Sequence, residues 1–161
     1  MSRPQTLAAL VAASALAIIG AGAALAANDA PSFAVHSAAN TYIRGGYSAY
    51  ERGEFKKSAV FSRRATAKGN KKSRRSIAYA NLCAALGQQN KLVAALEACD
   101  SAIALDPKNW RARNNRGVVE YRLGKSAAAA ADFAAAASAP KADLARANAA
   151  LLAGPRLAAS E

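Results

Sequence analysis

The stretch that decides the fold is SIAYANLCAALGQQNKLVAALEACDSAIALDPKN at residues 76–109, and WRARNNRGVVEYRLGKSAAAAADFAAAASAPK follows it directly at residues 110–141. Aligned without a gap, the two copies place small residues at matching positions: Cys83 over Gly117, Ala95 over Ala129 and Ala102 over Ala136. The copy length is 34 residues. A period of this length, with small residues at fixed places, predicts an array of helix–turn–helix units.

The composition agrees with this interpretation. Hydrophobic residues make up 53% of the chain but aromatic residues only 6%, so the apolar content is mostly alanine, the best helix former. An all-α protein is therefore expected, and its net charge of +12 favours anionic partners. His36 is the only histidine, which excludes a histidine-rich metal site. With no metal-ligand spacing, phosphate-binding loop or nucleophile–base set, we expect neither enzymatic activity nor a cofactor.

The N-terminus has the pattern of an export signal. Residues 7–25 carry no charge, and Ala24-Leu25-Ala26 fits the small-x-small cleavage rule, which predicts a signal peptide at residues 1–26 and cleavage before Ala27. The mature protein would then be periplasmic. The alternative is an uncleaved segment that anchors the protein to the inner membrane, since residues 7–25 approach the length needed to span it. Residues 27–38, here called the lead-in segment, precede the repeats, and His36 is expected at the surface.

A weaker first repeat and a basic linker are predicted at residues 39–75. Gly46 falls where Cys83 and Gly117 fall, but Ser62 stands at the position of Cys99 and Phe133. Gly69 is suited to the left-handed conformation that follows a helix end. Terminal repeats are often atypical, which makes this divergence acceptable.

Residues 56–75 form a basic patch without any acidic residue. Its members are Lys56, Lys57, Arg63, Arg64, Lys68, Lys71, Lys72, Arg74 and Arg75. One interpretation is a polyanion-binding patch for anionic glycan or lipid at the cell envelope. The other is a solvated face of an alkaline protein. Nucleic acid is not expected as a partner, because aromatic residues are sparse here and an exported protein rarely meets it.

The two copies resemble the tetratricopeptide repeat (TPR) family. The first carries the residues that the family prefers at Tyr79, Leu82, Ala95, Ala102 and Pro107, and the second at Gly117, Gly124, Ala129, Phe133 and Ala136. Asn90 replaces the usual turn glycine, and Arg113 stands where an aromatic residue is expected. The resemblance implies a TPR solenoid, an α-α superhelix of about three helix–turn–helix repeats. Residues 142–161 would add a C-terminal capping helix and tail.

In proteins similar to this one, the first helices of successive repeats line a concave groove that binds peptides. The corresponding residues here are Asn81, Gln88, Arg111, Asn114, Asn115, Val118, Tyr121, Arg122, Arg44 and Tyr47. Asparagine can donate to and accept from a peptide backbone, and Arg111 with Arg122 could hold a carboxylate. The alternative is that Asn115 serves helix packing only.

Cys83 and Cys99 are the only cysteines. In the repeat they occupy positions 8 and 24, near the same level of two antiparallel helices, and export implies an oxidising compartment. A disulfide between the two helices is one expectation, and two buried free thiols are the other.

These observations predict an exported, non-enzymatic interaction module. Its concave groove would bind a peptide segment of another protein, either acidic or C-terminal. The alternative function is an envelope-associated structural protein that uses the basic patch on an anionic glycan or lipid surface.

Overall fold

The computed structural model describes residues 30–154, which contain seven α-helices and no strand. The helices are α1 (Thr41–Glu51), α2 (Phe55–Ala65), α3 (Lys72–Gln88), α4 (Leu92–Leu105), α5 (Trp110–Arg122), α6 (Ser126–Ala137) and α7 (Asp143–Ala153). They pair as α1–α2, α3–α4 and α5–α6, and α7 follows as a single helix. The prediction of an all-α repeat array is confirmed.

The same turn joins the two helices of every pair. Its central residue has positive φ in all three repeats: 73° at Gly53, 58° at Asn90 and 75° at Gly124. This left-handed conformation suits glycine, and asparagine tolerates it better than most residues. The three turns therefore close three equivalent helix pairs, including the weak first repeat. The predicted signal peptide lies outside the described residues.

Each helix pair packs around one small-residue contact at equivalent positions. A Cβ on Gly117 would lie 2.8 Å from the Phe133 ring, so the glycine makes room for that buried side chain. The first repeat has Gly46 against Ser62 at the same level, where an added Cβ would lie 2.9 Å from the serine Oγ. Cys83 and Cys99 occupy the equivalent positions in the middle repeat. The positions aligned in the sequence are thus the ones at which the helices touch.

The helices stack as a solenoid. Consecutive helices contact one another, and so do the first helices of neighbouring repeats, α1 with α3, α3 with α5 and α5 with α7. The second helices, α2 and α4, each pack on α3 but not on each other. The first helices therefore form one continuous face, the concave groove, while the second helices lie apart on the other side of the array.

The structure gives the helix boundaries around the two well-matched repeats. Helix α3 begins at Lys72 rather than at residue 76, because the repeat alignment marks equivalent positions and not the helix start, and residues 72–75 can extend the helix. The basic residues from Lys72 onward are therefore helical and not part of a linker. Helix α6 ends at Ala137, three residues before Pro140, since the residue before a proline disfavours the helical conformation. Helix α7 begins at Asp143.

Among residues 30–154, no helix combines the length and the apolar character needed to cross a membrane.

Candidate peptide-binding groove

The concave groove contains part of the chain itself. Residues 31–38 have no regular secondary structure, and they cross α7, α5 and α3 in that order before the chain enters α1. Phe33 and Ala34 are buried, with 7% and 5% of their surfaces exposed. The lead-in segment was expected to precede the repeats. Its described part is packed into them instead, and His36 is half-buried rather than on the surface.

Three asparagines bind the backbone of this segment at every second residue. The Asn115 side chain accepts a hydrogen bond from the Ala34 N–H at 2.7 Å and donates one to the Ala34 carbonyl oxygen at 2.8 Å. Asn81 binds His36 in the same way at 2.9 and 2.8 Å. Asn148 binds Ser32 at 3.0 and 2.8 Å. We call Asn81, Asn115 and Asn148 the asparagine ladder.

The ladder is held rigidly by further hydrogen bonds. Asn114 donates to the Ser32 carbonyl oxygen at 3.1 Å and accepts from Asn148 at 2.8 Å. Asn115 also donates to the Ala80 carbonyl oxygen of α3 at 3.0 Å, which ties neighbouring repeats together. These amides are almost completely buried, at 0–1% exposure. A buried amide without a hydrogen-bond partner is costly. The hydrogen bonds to the backbone of the segment therefore fix the orientation of these asparagine side chains.

Phe33 is the apolar anchor of the segment. Its ring packs against the backbone of α3 at Gly87, where an added Cβ would lie only 2.2 Å from the ring Cζ. The Arg122 guanidinium lies over the Phe33 ring, 4.8 Å from the ring centroid. It also donates a hydrogen bond to the Gly87 carbonyl oxygen at 2.9 Å. Gly87 thus makes the pocket, and Arg122 covers it.

The structure brings together several of the residues that the sequence predicts for the groove. Asn81, Asn114, Asn115 and Arg122 contact the segment directly, whereas Val118 is completely buried. Asn115 serves both expected roles, since it binds the segment and also α3.

Of the other predicted groove residues, Gln88 lines a cavity together with Ser32 and Phe33 of the segment. Gln88 is exposed and donates to the Tyr50 hydroxyl at 3.1 Å, and Tyr121 is also exposed. Arg44, in α1, is exposed and Tyr47 is half-buried. Arg44 has the repeat position of the asparagines, so the ladder does not extend into the first repeat.

Arg111 and Arg122, which could hold a carboxylate according to the sequence, have other contacts in the structure. The Arg111 guanidinium stacks on Trp110 at 4.4 Å from the ring centroid, and burial lowers its pKa. Burial of His36 lowers the pKa of its imidazole, and the nearby positive charge of Arg111 lowers this pKa further. The two guanidinium groups are thus placed at different residues of the segment, Arg111 near His36 and Arg122 over Phe33.

The roles of Asn148 and Phe33 are not predicted from the sequence. The asparagines at 81, 115 and 148 are spaced by about one repeat, and this spacing was the available signal. The apolar spacing of the last helix predicts a capping helix, and it does not indicate a role for Asn148 in the groove.

Cys83 and Cys99 form a disulfide in the structure, with Cα atoms 5.3 Å apart and both residues fully buried. The bond joins α3 to α4 at the level where Gly117 meets Phe133 in the next repeat. No group of three or more potential metal-ligating side chains occurs in the described part of the chain.

The basic patch lies on α2, on the α2–α3 connection and in the first turns of α3. Lys57 pairs with Glu54 at 3.1 Å, and Arg75 donates to the Thr66 carbonyl oxygen at 3.1 Å. The Arg64 guanidinium lies 6.0 Å from the Tyr42 ring centroid. The patch therefore combines local contacts with cations that remain available.

Comparison with known proteins gives one match. The family model described as tetratricopeptide repeat matches residues 82–153, from within α3 to the end of α7. Neither the curated proteins nor the solved structures contain a match to this chain. The matched stretch holds two of the three asparagines of the ladder, Asn115 and Asn148, and Asn81 lies one residue before it. TPR arrays are protein-interaction modules, whose stacked repeats create extended concave binding surfaces. The match supports a tetratricopeptide repeat protein, and the described residues fold as an all-α solenoid of helix pairs.

Proposed function

We propose that this protein is an exported, non-enzymatic module whose concave groove binds an extended peptide segment of another protein. The observation that carries the proposal is the asparagine ladder, which bonds both the N–H and the carbonyl group of every second residue. These bonds involve only main-chain atoms of the occupant. Any extended peptide with a side chain that fits the Phe33 pocket could therefore replace the lead-in segment.

The lead-in segment indicates the ligand's form and direction. It carries a buried aromatic side chain at Phe33 and a half-buried Val35 on alternate positions, as expected for an extended chain. A partner peptide in this register would leave the groove near Arg111. If the peptide ended at the position of His36, its terminal carboxylate would lie beside this guanidinium. The preference for a C-terminal or acidic segment rests on this placement.

A partner must compete with the lead-in segment, because both use the same hydrogen-bonding groups. The segment is covalently attached and so has a high effective concentration at the groove. We therefore propose that productive partners bind weakly to the resting protein and strongly when the segment is released.

Fluorescence anisotropy with a labelled peptide tests this function. The probe is APSFAVH, residues 30–36, with a free C-terminal carboxylate at the position of His36, and the protein is the full chain carrying Phe33→Ala. Exposing a buried phenylalanine costs about 1.5–3 kcal/mol, so the variant should bind the probe at least about tenfold more tightly than the parent. Adding Asn115→Ala should abolish the gain.

An amidated form of the same peptide is the matched control for the contribution of Arg111. Weaker binding of the amidated form supports a C-terminal ligand. If the Phe33→Ala chain binds neither peptide at millimolar concentration, the groove is not a peptide site. Cell fractionation tests export separately, and an N-terminal sequence beginning at Ala27 is the expected result.

A further inference from the structure

A second groove runs over α3 between α2 and α4. Because these two helices pack on α3 without contacting each other, a recess remains between them, with Leu82 and Leu86 of α3 at its base. Two cavities, of 580 and 300 Å³, lie along this opening and share Arg63 and Leu86 in their linings. We call this feature the outer groove. It is separate from the concave groove, whose residues line neither cavity.

The floor of the outer groove is apolar. It contains Leu82 and Leu86 from α3, Ala59 from α2 and Ala98 from α4, each with 5–8% of its surface exposed. Val60, at the edge of the larger cavity, is 54% exposed, which is high for a valine. An apolar strip of this kind between two helices is the usual form of a site that accepts the apolar face of a third helix.

The rim of the larger cavity carries only positive charge. Its charged residues are Lys56, Arg63, Arg64 and Lys91. None of the four has a carboxylate within salt-bridge distance among residues 30–154. The smaller cavity has Glu97 on its α4 side, so the two ends of the outer groove differ in charge. An occupant with its acidic residues at one end would match this distribution.

We propose that the outer groove binds an acidic amphipathic helix of a partner protein. The strip of α3 from Tyr79 to Leu86 spans about 10 Å at 1.5 Å per residue, which corresponds to two turns of a bound helix. The occupant would insert apolar side chains at positions i, i+3 or i+4 and i+7. Its acidic residues would face the four cations of the rim.

The shape of the site favours a helix over a membrane surface. The apolar floor is recessed between two helices and almost fully shielded from a flat surface, whereas a protruding side chain can reach it. A second copy of this chain is disfavoured as the occupant by the like charge of two chains at +12 each. The inference is independent of the proposed peptide site, because the two grooves use different residues.

The test is isothermal titration at 150 mM salt of the full chain with a designed helical peptide. The probe has 14 residues, with leucine at positions 4, 8 and 11, glutamate on the flanking positions and alanine elsewhere. We expect saturable one-to-one binding. Arg63→Glu combined with Lys91→Glu should weaken it at least tenfold, because both cations lie on the rim of the larger cavity.

The matched control is Lys71→Glu combined with Lys72→Glu, which changes the net charge equally but lies outside both cavities. This control should weaken binding by less than threefold. An equal loss in the two double variants would mean that the peptide responds to net charge only, and the proposal would be overturned. A leucine-free version of the peptide that binds equally well would also overturn it.

A last arm uses vesicles of phosphatidylcholine with phosphatidylglycerol. Vesicle binding that is lost on Arg63→Glu with Lys91→Glu, together with no binding of the helical peptide, would replace the partner helix with a lipid surface. The peptide APSFAVH should not compete with the helical probe. Competition would place both ligands in the concave groove and overturn the assignment.

Discussion

Substitution of Gly87 by alanine should expel the lead-in segment from the concave groove. The added Cβ would lie 2.2, 2.8 and 3.0 Å from three carbons of the Phe33 ring. These distances are far below an ordinary carbon–carbon contact, and Gly87 belongs to the body of α3 and cannot retreat. The ring must therefore leave its pocket, and the residues around it must leave with it.

The effect on global stability should be small because two contributions oppose each other. Exposing the Phe33 side chain costs about 1.5–3 kcal/mol, whereas alanine stabilises a helix by up to about 1 kcal/mol relative to glycine. The free energy of unfolding should fall by no more than about 2 kcal/mol. The free energy of opening the segment alone should fall by about the same amount, which makes its amides exchange about 30-fold faster.

Amide hydrogen exchange measured by NMR separates the two effects. The Ala34 amide, which donates to Asn115 at 2.7 Å, reports on the segment, and amides in the middle of α3 report on global unfolding. Gly69→Ala is the control, because nothing lies within 4 Å of its added Cβ. If Gly87→Ala leaves Ala34 exchange within threefold of the parent, the Phe33 pocket does not hold the segment.

Three other substitutions test the ladder, the disulfide and one surface contact. Asn115→Ala leaves the N–H and the carbonyl group of Ala34 without their partner. It should lower the free energy of unfolding, measured in urea, by about 1–3 kcal/mol, whereas Gln88→Ala, at an exposed position, should lower it much less. Cys83→Ser with Cys99→Ser should lower stability by about 3 kcal/mol, and dithiothreitol should lower that of the parent but not of the variant. The pKa of Glu54 is lowered to about 2, first by its hydrogen bond from Arg52 and then by that from Lys57. This folded-state pKa lies below the value of 4.5 for an unperturbed glutamate. The two contacts of Glu54 therefore stabilise the folded state above pH 4.5, and this stabilisation is lost as the pH falls towards 2. Glu54→Gln should remove that part of the pH dependence of unfolding, and a carboxyl titration by NMR with a midpoint near 4.5 would contradict the contact.

The repeat architecture could be predicted because its determinants are local and periodic. The left-handed turns at Gly53, Asn90 and Gly124 and the small residues that let each helix pair close recur at fixed spacing, so an ungapped alignment finds them. The weak first repeat keeps the turn and the glycine even though its partner residue has changed to serine. The Ser62 hydroxyl is buried without a hydrogen-bond partner among the described residues, which illustrates how far this repeat departs from the others.

The occupant of the groove could not be predicted in the same way. Its hydrogen bonds join residues between 45 and 116 positions apart, and no periodic pattern in residues 31–37 indicates where they dock. The repeat positions therefore predict several residues of the concave face, but not the fact that the chain covers it.

If the concave groove binds peptides as proposed, the number of ladder asparagines sets the length of peptide backbone that is recognised. Each repeat of about 34 residues advances the bound chain by one dipeptide, or about 6.8 Å of extended backbone. An additional repeat carrying the same asparagine would lengthen the recognised stretch by two residues and never by one. A ligand shifted by a single residue would present its opposite side chains to the Phe33 pocket. The ladder would therefore fix the register of a bound peptide through its main-chain atoms, with little dependence on the other side chains.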